Sequence, residues 1–232
     1  MVALTVILMI VGFMLLDMGI QYIQKPKTVE ALSAATSRII HAADDLMSDF
    51  LLPLGYFFHP GHTWARVQES GEILIGSDDF ANKVLGNIEG VALPEVGQQV
   101  KFNAPAFQLI QGGKRAAFMA PVSGTVVDVN AQLRDKPSLL MDSPYGSGWV
   151  MKVRPTSAAD DLRALLIAEP AKQWLKNEIR GFRDFLMEVA GRKSELGMTL
   201  ADGGVPVSGV MEQFGESEWN SFQERFLKGS LA

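Results

Sequence analysis

Phe107-Gln108-Leu109-Ile110-Gln111-Gly112-Gly113-Lys114-Arg115-Ala116-Ala117-Phe118-Met119-Ala120-Pro121 reads as a β-hairpin. Ala106–Gln111 and Ala116–Met119 are strand-like runs, and Gly112-Gly113 between them suits a two-residue turn with positive φ. That turn would set Lys114 at its flank. Working outward, Tyr56 to Pro155 divides into short strands separated by Gly, Pro, Asn and Asp: Thr63–Val67, Ile73–Ser77, Gly90–Leu93, Gln99–Val100, Gly124–Val129 and Gly148–Arg154. Only Asp78–Leu85 reads as helix within this region. The expectation is a β module built from alternating side chains.

The ordered motifs of this region resemble the glycine cleavage H-protein family. They are Gly61-His62-Thr63-Trp64, Asp79-Phe80-Ala81, Leu85-Gly86-Asn87-Ile88 and Leu93-Pro94-Glu95-Val96-Gly97, followed by Ala120-Pro121-Val122-Ser123-Gly124, Val127-Asp128-Val129-Asn130 and Ser143-Pro144-Tyr145-Gly146-Ser147-Gly148-Trp149. The resemblance covers residues 56–176 and implies a lipoyl-domain-like barrel-sandwich hybrid of two antiparallel sheets. It further implies a hairpin lysine that carries lipoate. Aligned from Phe107, Lys114 falls on that lysine; aligned from Ala120-Pro121 without a gap, Gly113 falls there instead. One residue is thus missing from the returning strand, and Gln111 stands where the family usually has Glu. A turn or a bulge must absorb the difference, because a one-residue slip would send every following side chain to the other face.

The chain begins differently. Residues 2–23 contain no Lys or Arg and one acid, Asp17, and at about 1.5 Å per residue they reach the roughly 30 Å of a bilayer core. Residues 1–24 are therefore expected to form an uncleaved transmembrane helix, since no basic residue precedes the apolar run as in a signal peptide. Lys25 and Lys27 follow it, which by the positive-inside rule puts the soluble module on the cytoplasmic side of an inner membrane. Asp17 either reaches the headgroups or contacts another membrane helix. Residues 28–55 read as an amphipathic helix and connector, ended by Pro53 and Gly55.

Composition narrows the chemistry. The chain has 232 residues, no cysteine and a net charge of −5, which excludes disulfides, thiolate metal sites and cysteine nucleophiles and disfavours a nucleic-acid partner. His59 and His62 flank Pro60-Gly61 and His41 lies upstream, short of the compatible ligand set zinc needs, so no metal is expected. Asp78-Asp79 and Asp160-Asp161 fall at helix starts, where capping explains them. Gly112-Gly113-Lys114 lacks the other elements of a phosphate loop, and no Gly-x-Ser-x-Gly or His-Glu-x-x-His is present. No catalytic residue is expected.

Residues 177–232 read as a helical extension, a Gly-rich connector and a docking tail. Ser157 can cap a helix through Leu162 and Leu165, interrupted near Pro170. A second helix from Ala171 carries Trp174, Leu175, Ile179, Phe182, Phe185, Leu186 and Val189 at helical spacing. After a Gly-rich stretch, Met211, Phe214, Trp219, Phe222 and Phe226 mark an amphipathic tail. Both stripes fit either packing on the rest of the chain or a partner interface, with Trp174, Phe182, Phe185, Trp219, Phe222 and Phe226 as candidate contacts alongside Asp17. The overall expectation is a mixed α and β protein: a transmembrane helix, a β barrel-sandwich hybrid, and flanking and C-terminal helices. Its expected role is a non-catalytic accessory or scaffold subunit, without cofactor, contacting other subunits of a membrane complex and the bilayer through residues 2–23. The alternative is a membrane-tethered lipoyl carrier in which Lys114 bears lipoate and shuttles electrons or an aminomethyl group.

Overall fold

Nine strands form among the described residues, which are 50–192 and 208–229 of a computed structural model. All lie in the unit Leu46–Ala232. The expected span 1–24 with Asp17, His41, nearly all of the expected helix 28–55 and most of the Gly-rich connector lie outside the described residues. Among those described, no helix is long and apolar enough to cross a membrane.

The strands are β1 Phe57–His59, β2 Thr63–Val67, β3 Ile73–Ser77, β4 Gly90–Ala92, β5 Gln99–Val100, β6 Pro105–Gln111, β7 Lys114–Met119, β8 Gly124–Val129 and β9 Met151–Pro155. One sheet runs β1-β2-β3-β9-β8-β5 and a second runs β4-β6-β7, with every pairing antiparallel. Their facing sides carry Ile73, Ile75, Leu109, Ala116, Phe118, Val126 and Val153, all buried. The Phe107 and Phe118 rings stack at 5.2 Å. On the other side of the larger sheet, Tyr56, Phe58, Trp64, Leu74 and Ala171 form a second cluster. There Trp64 lies over Gly76, where an added Cβ would stand 2.6 Å from the indole, and its Nε1 donates to Ser77 O at 2.9 Å. A side chain at position 76 would displace that ring.

Helix α1, Asp79–Leu85, is capped by Asp78, whose carboxylate accepts from Ala81 N at 2.8 Å. Two four-residue helices, α2 Gln132–Asp135 and α3 Leu139–Asp142, occupy a stretch that sequence periodicity assigns to loop; each is too short to show a helical repeat. β1 also escapes the pattern, as three residues ahead of Pro60-Gly61. β9 starts at Met151 rather than at Gly148, because Asn130 Nδ2 ties Ser147 O and Trp149 O into a tight approach to the strand.

Helix α4, Ala158–Arg163, has Ser157 at its N-cap position without the expected side-chain bond. Helix α5 runs unbroken over Ala168–Arg192. Pro170, expected as an interruption, sits in its first turn, where a missing N–H leaves no intrahelical bond unmade. The last described segment is a 3-10 turn Val210–Gln213, helix α6 Glu216–Phe222 and a π-helical turn Gln223–Leu227. Phe182 of α5 packs edge-on to Phe80 of α1 at 5.6 Å, and also meets Phe222 at 5.9 Å and Phe226 at 5.6 Å. The extension therefore completes the core of the β module.

Candidate functional site

The hairpin β6–β7 closes as its two glycines require. Gln111 pairs with Lys114, and Gly112 and Gly113 take φ of 54° and 76°, a region open to glycine without steric cost. A Cβ at Gly113 would meet nothing within 4 Å, so the turn stands clear of the body. At the other end Pro105 pairs with Met119 while Phe107 pairs with Phe118, leaving Ala106 as an extra residue on β6. This bulge absorbs a one-residue difference between the strands and keeps Phe107, Leu109 and Gln111 facing inward.

Lys114 is half-buried, and its surroundings come from the C-terminal segment. Its Nζ donates to Phe214 O at 2.7 Å and to Met211 O at 3.4 Å, and lies 4.7 Å from the centre of the Trp219 ring. Those are two carbonyl dipoles and an aromatic face, which suit an ammonium. The segment also serves the free edge of β7, which lies at the margin of the three-stranded sheet. Trp219 Nε1 donates to Arg115 O at 3.1 Å, and Gln223 Oε1 accepts from Ala117 N at 3.1 Å. An exposed strand edge is thus covered by side chains rather than by another strand. Further bonds fix the segment at its start: Glu212 Oε1 accepts from Asn87 N at 2.7 Å, and Gly209 N donates to Lys83 O at 2.7 Å.

A second polar centre links α5 to the sheet. His62, in a left-handed backbone conformation with φ 60°, is fully buried, with Nδ1 2.8 Å from Asp78 Oδ2 and Nε2 3.7 Å from Glu178 Oε2. Its ring stacks on Phe80 at 4.7 Å and leans on Trp174 at 5.0 Å. Burial pushes the imidazole down, but the charge and hydrogen bond of Asp78, then those of Glu178, more than reverse this and raise it to about 9. His59 goes the other way, to about 4, through burial first and the charge of His62 second. Among the described residues no group of three or more His, Asp or Glu is placed to hold a metal.

The candidate contact residues sit inside the chain. Phe182, Phe185, Trp219, Phe222 and Phe226 are buried and Trp174 is partly so, because the α5 stripe and the tail stripe face each other and the module. They are core side chains here rather than an open partner surface. The tail docks on its own β module. Sequence reading found Lys114 and Trp219 but did not bring them together; the carbonyls of Met211 and Phe214 carry no side-chain signal at all.

Two antiparallel sheets presenting a lysine at the flank of a protruding two-residue turn define a lipoyl-domain-like module. A family profile described as Glycine cleavage H-protein matches residues 56–178. The probable glycine cleavage system H protein of Pyrococcus abyssi is 35% identical over 131 residues, covering 56% of this chain and 97% of that protein. The glycine cleavage system H protein of Saccharophagus degradans is 38% identical over 133 residues, covering 57% and 99% respectively. A crystal structure of a glycine cleavage system H protein from Mycobacterium marinum aligns with a TM-score of 0.46 at 25% identity, over 55% of this chain and 98% of that one. The chain belongs to the glycine cleavage H-protein family. Residues 1–55 and 179–232 lie outside the family match.

Proposed function

We propose that this chain is a lipoyl-type carrier whose attachment residue is Lys114. The observation that carries the reading is the position of Lys114, paired with Gln111 across a free-standing Gly112-Gly113 turn, in a module matched over nearly the full length of glycine cleavage H proteins. That match favours the carrier over the expected accessory scaffold. The hairpin fits the group: the turn is open, Gly112 and Gly113 are exposed, and Lys114 flanks them half-buried, its Nζ held in this fold by the C-terminal segment. A lipoyl group in amide linkage there would supply a dithiolane that opens to a dithiol on taking up two electrons and two protons. This chain's own part is to hold the hairpin rigid, through the stacked Phe107 and Phe118, and to leave the cargo free of competing thiols, since it has no cysteine. It contributes no catalytic residue in this reading. Residues 2–23 are proposed as the tether to an inner membrane, with the module cytoplasmic and other membrane subunits as partners, on the strength of their apolar sequence.

One experiment tests both parts. The protein is recovered from carbonate-washed membranes of its native host, and its peptides are weighed. The mass of one lipoyl group on Lys114 is expected. An unmodified Lys114 in all recovered chains would return the scaffold reading, and recovery only in the soluble fraction would remove the tether.

A further inference from the structure

Lys114 is a site for acylation only if its Nζ can be reached. In this fold the C-terminal segment takes that atom. Two backbone carbonyls, Phe214 O and Met211 O, receive its hydrogens, and the Trp219 indole covers it. The same indole bonds Arg115 O, the residue next to Lys114, and Gln223 bonds Ala117 N two residues further. Segment and hairpin therefore meet at the one lysine the carrier reading needs, through contacts along successive residues of β7. We propose that residues 209–228 are an intramolecular cap that masks Lys114, and that the lysine becomes available for modification when this segment lifts. The proposal rests on the carrier reading for its purpose but not for its geometry.

The contacts suit a cap that can lift. Lys114 is held by neutral carbonyls and a ring face, not by a carboxylate. The segment's side-chain anchor at its start is Glu212, an exposed residue whose bond to Asn87 N lies at the surface, beside the backbone bond of Gly209 N to Lys83 O. Its strongest hold is apolar, from Trp219, Phe222 and Phe226 against α5 and the sheet. Lifting exposes these rings, so the lifted state favours a partner with an apolar surface of its own, such as the protein that modifies the lysine. The segment is tied to α5 through residues 193–207, which include Gly197, Gly203 and Gly204, so a displaced cap stays close to its site.

The test uses the full chain with unmodified lysines and the N-hydroxysuccinimide ester of acetate as probe. The Nζ–C bond forms, the ester C–O bond breaks, N-hydroxysuccinimide leaves, and the ammonium's two surplus protons go to it and to the buffer. Labelling is read lysine by lysine by mass spectrometry, with exposed Lys136 as internal reference. Lys114 should label at least about tenfold more slowly than Lys136, the size expected of a local opening against a desolvated ring contact. Trp219→Ala and, separately, Glu212→Ala should narrow the gap to about threefold or less by weakening the docked state. Equal rates for the two lysines in the unsubstituted chain would overturn the cap, and this measurement stands even if Trp219→Ala unfolds. Unchanged labelling in a folded Trp219→Ala chain would overturn it too.

A lipoate ligase supplied with lipoate and ATP separates the cap from the reading beneath it. Faster loading of Lys114 in the variants than in the unsubstituted chain supports both. Rapid acetylation of Lys114 in the variants only, without loading in any chain, leaves the cap standing and removes the carrier reading. Equal loading in all chains removes the cap and keeps the carrier.

Discussion

The family module and the extension that follows it bury their side chains by different means. In the module, packing depends on register and close backbone approach: Trp64 fits over Gly76, Ala106 bulges to keep the inward set of β6 inward, and buried polar groups such as Asp78, Asn82 and Asn130 are hydrogen-bonded. In the extension, α5 and the last segment meet through Phe182, Phe185, Phe214, Phe222 and Phe226, ring against ring. The module therefore specifies its own geometry, and the extension borrows a surface from it. Where the two meet, at Phe80, His62 and Lys114, the extension gains control over what the module displays.

The largest effects should come from the centres of the two clusters and should differ in reach. Trp64→Ala and Phe222→Ala each remove a ring with essentially no exposure, costing about 3–5 kcal/mol. For Trp64, Ser77 O also loses its indole donor, so the loss should appear across the whole module in amide hydrogen exchange. For Phe222, exchange should rise in α5 and residues 209–228 while β2, β3 and β9 keep most of their protection. Identical exchange changes in both variants would mean that the two regions fold as one unit.

The next effect joins the regions through pH. His62 is raised to about 9 from an ordinary 6.5, so the stability it contributes is complete below pH 6.5 and is lost as pH rises through 9. His59 is lowered to about 4, so its contribution is complete above pH 6.5 and is lost as pH falls through 4. Stability should peak near pH 6.5, with an alkaline limb on the order of 3 kcal/mol from His62. His62→Asn keeps a residue that tolerates the left-handed backbone and removes the titrating ring, so it should flatten the alkaline limb and, by removing a charge that helps lower His59, shorten the acid limb to a lesser extent. A limb of unchanged height in that variant would assign the alkaline loss to another group.

Much of the module was legible because its signals are local. Period-two burial marks β6 and β8, short apolar runs bounded by turn residues mark β2 and β3, and the glycine pair between two strand-like runs marks the hairpin turn. Asp78 was legible as a cap for the same reason. The three residues of β1 and the four-residue helices α2 and α3 are shorter than the repeat that would reveal them. The aromatic stripes were legible as buried helix faces, but periodicity says that a face is covered and never by what. That is why Phe182, Phe222 and Trp219 suited a partner surface until the chain folded back on itself. The grip on Lys114 was illegible in principle, since two of its three components are main-chain carbonyls. The ion pair of His62 with Glu178 likewise joins residues far apart in the chain, and nothing near either one announces the other.

The smallest effect should come from the extension's surface, and it sharpens the contrast with the hairpin. Arg225 Nη1 lies 2.8 Å from Glu188 Oε2 and its guanidinium stands 5.5 Å from the Phe185 ring, but both charged side chains are substantially exposed. Water and salt screen such a pair, so Arg225→Ala should cost about 0.5–1 kcal/mol, less at high ionic strength. Gly113→Ala, on the hairpin, creates no clash at all, yet it forces an L side chain into φ 76° and should cost about 1–2 kcal/mol regardless of salt. Denaturant midpoints for the two variants at low and high salt check the difference. A salt-dependent loss at Gly113, or a salt-independent one at Arg225, would show that backbone geometry and surface charge do not divide between module and extension in this way.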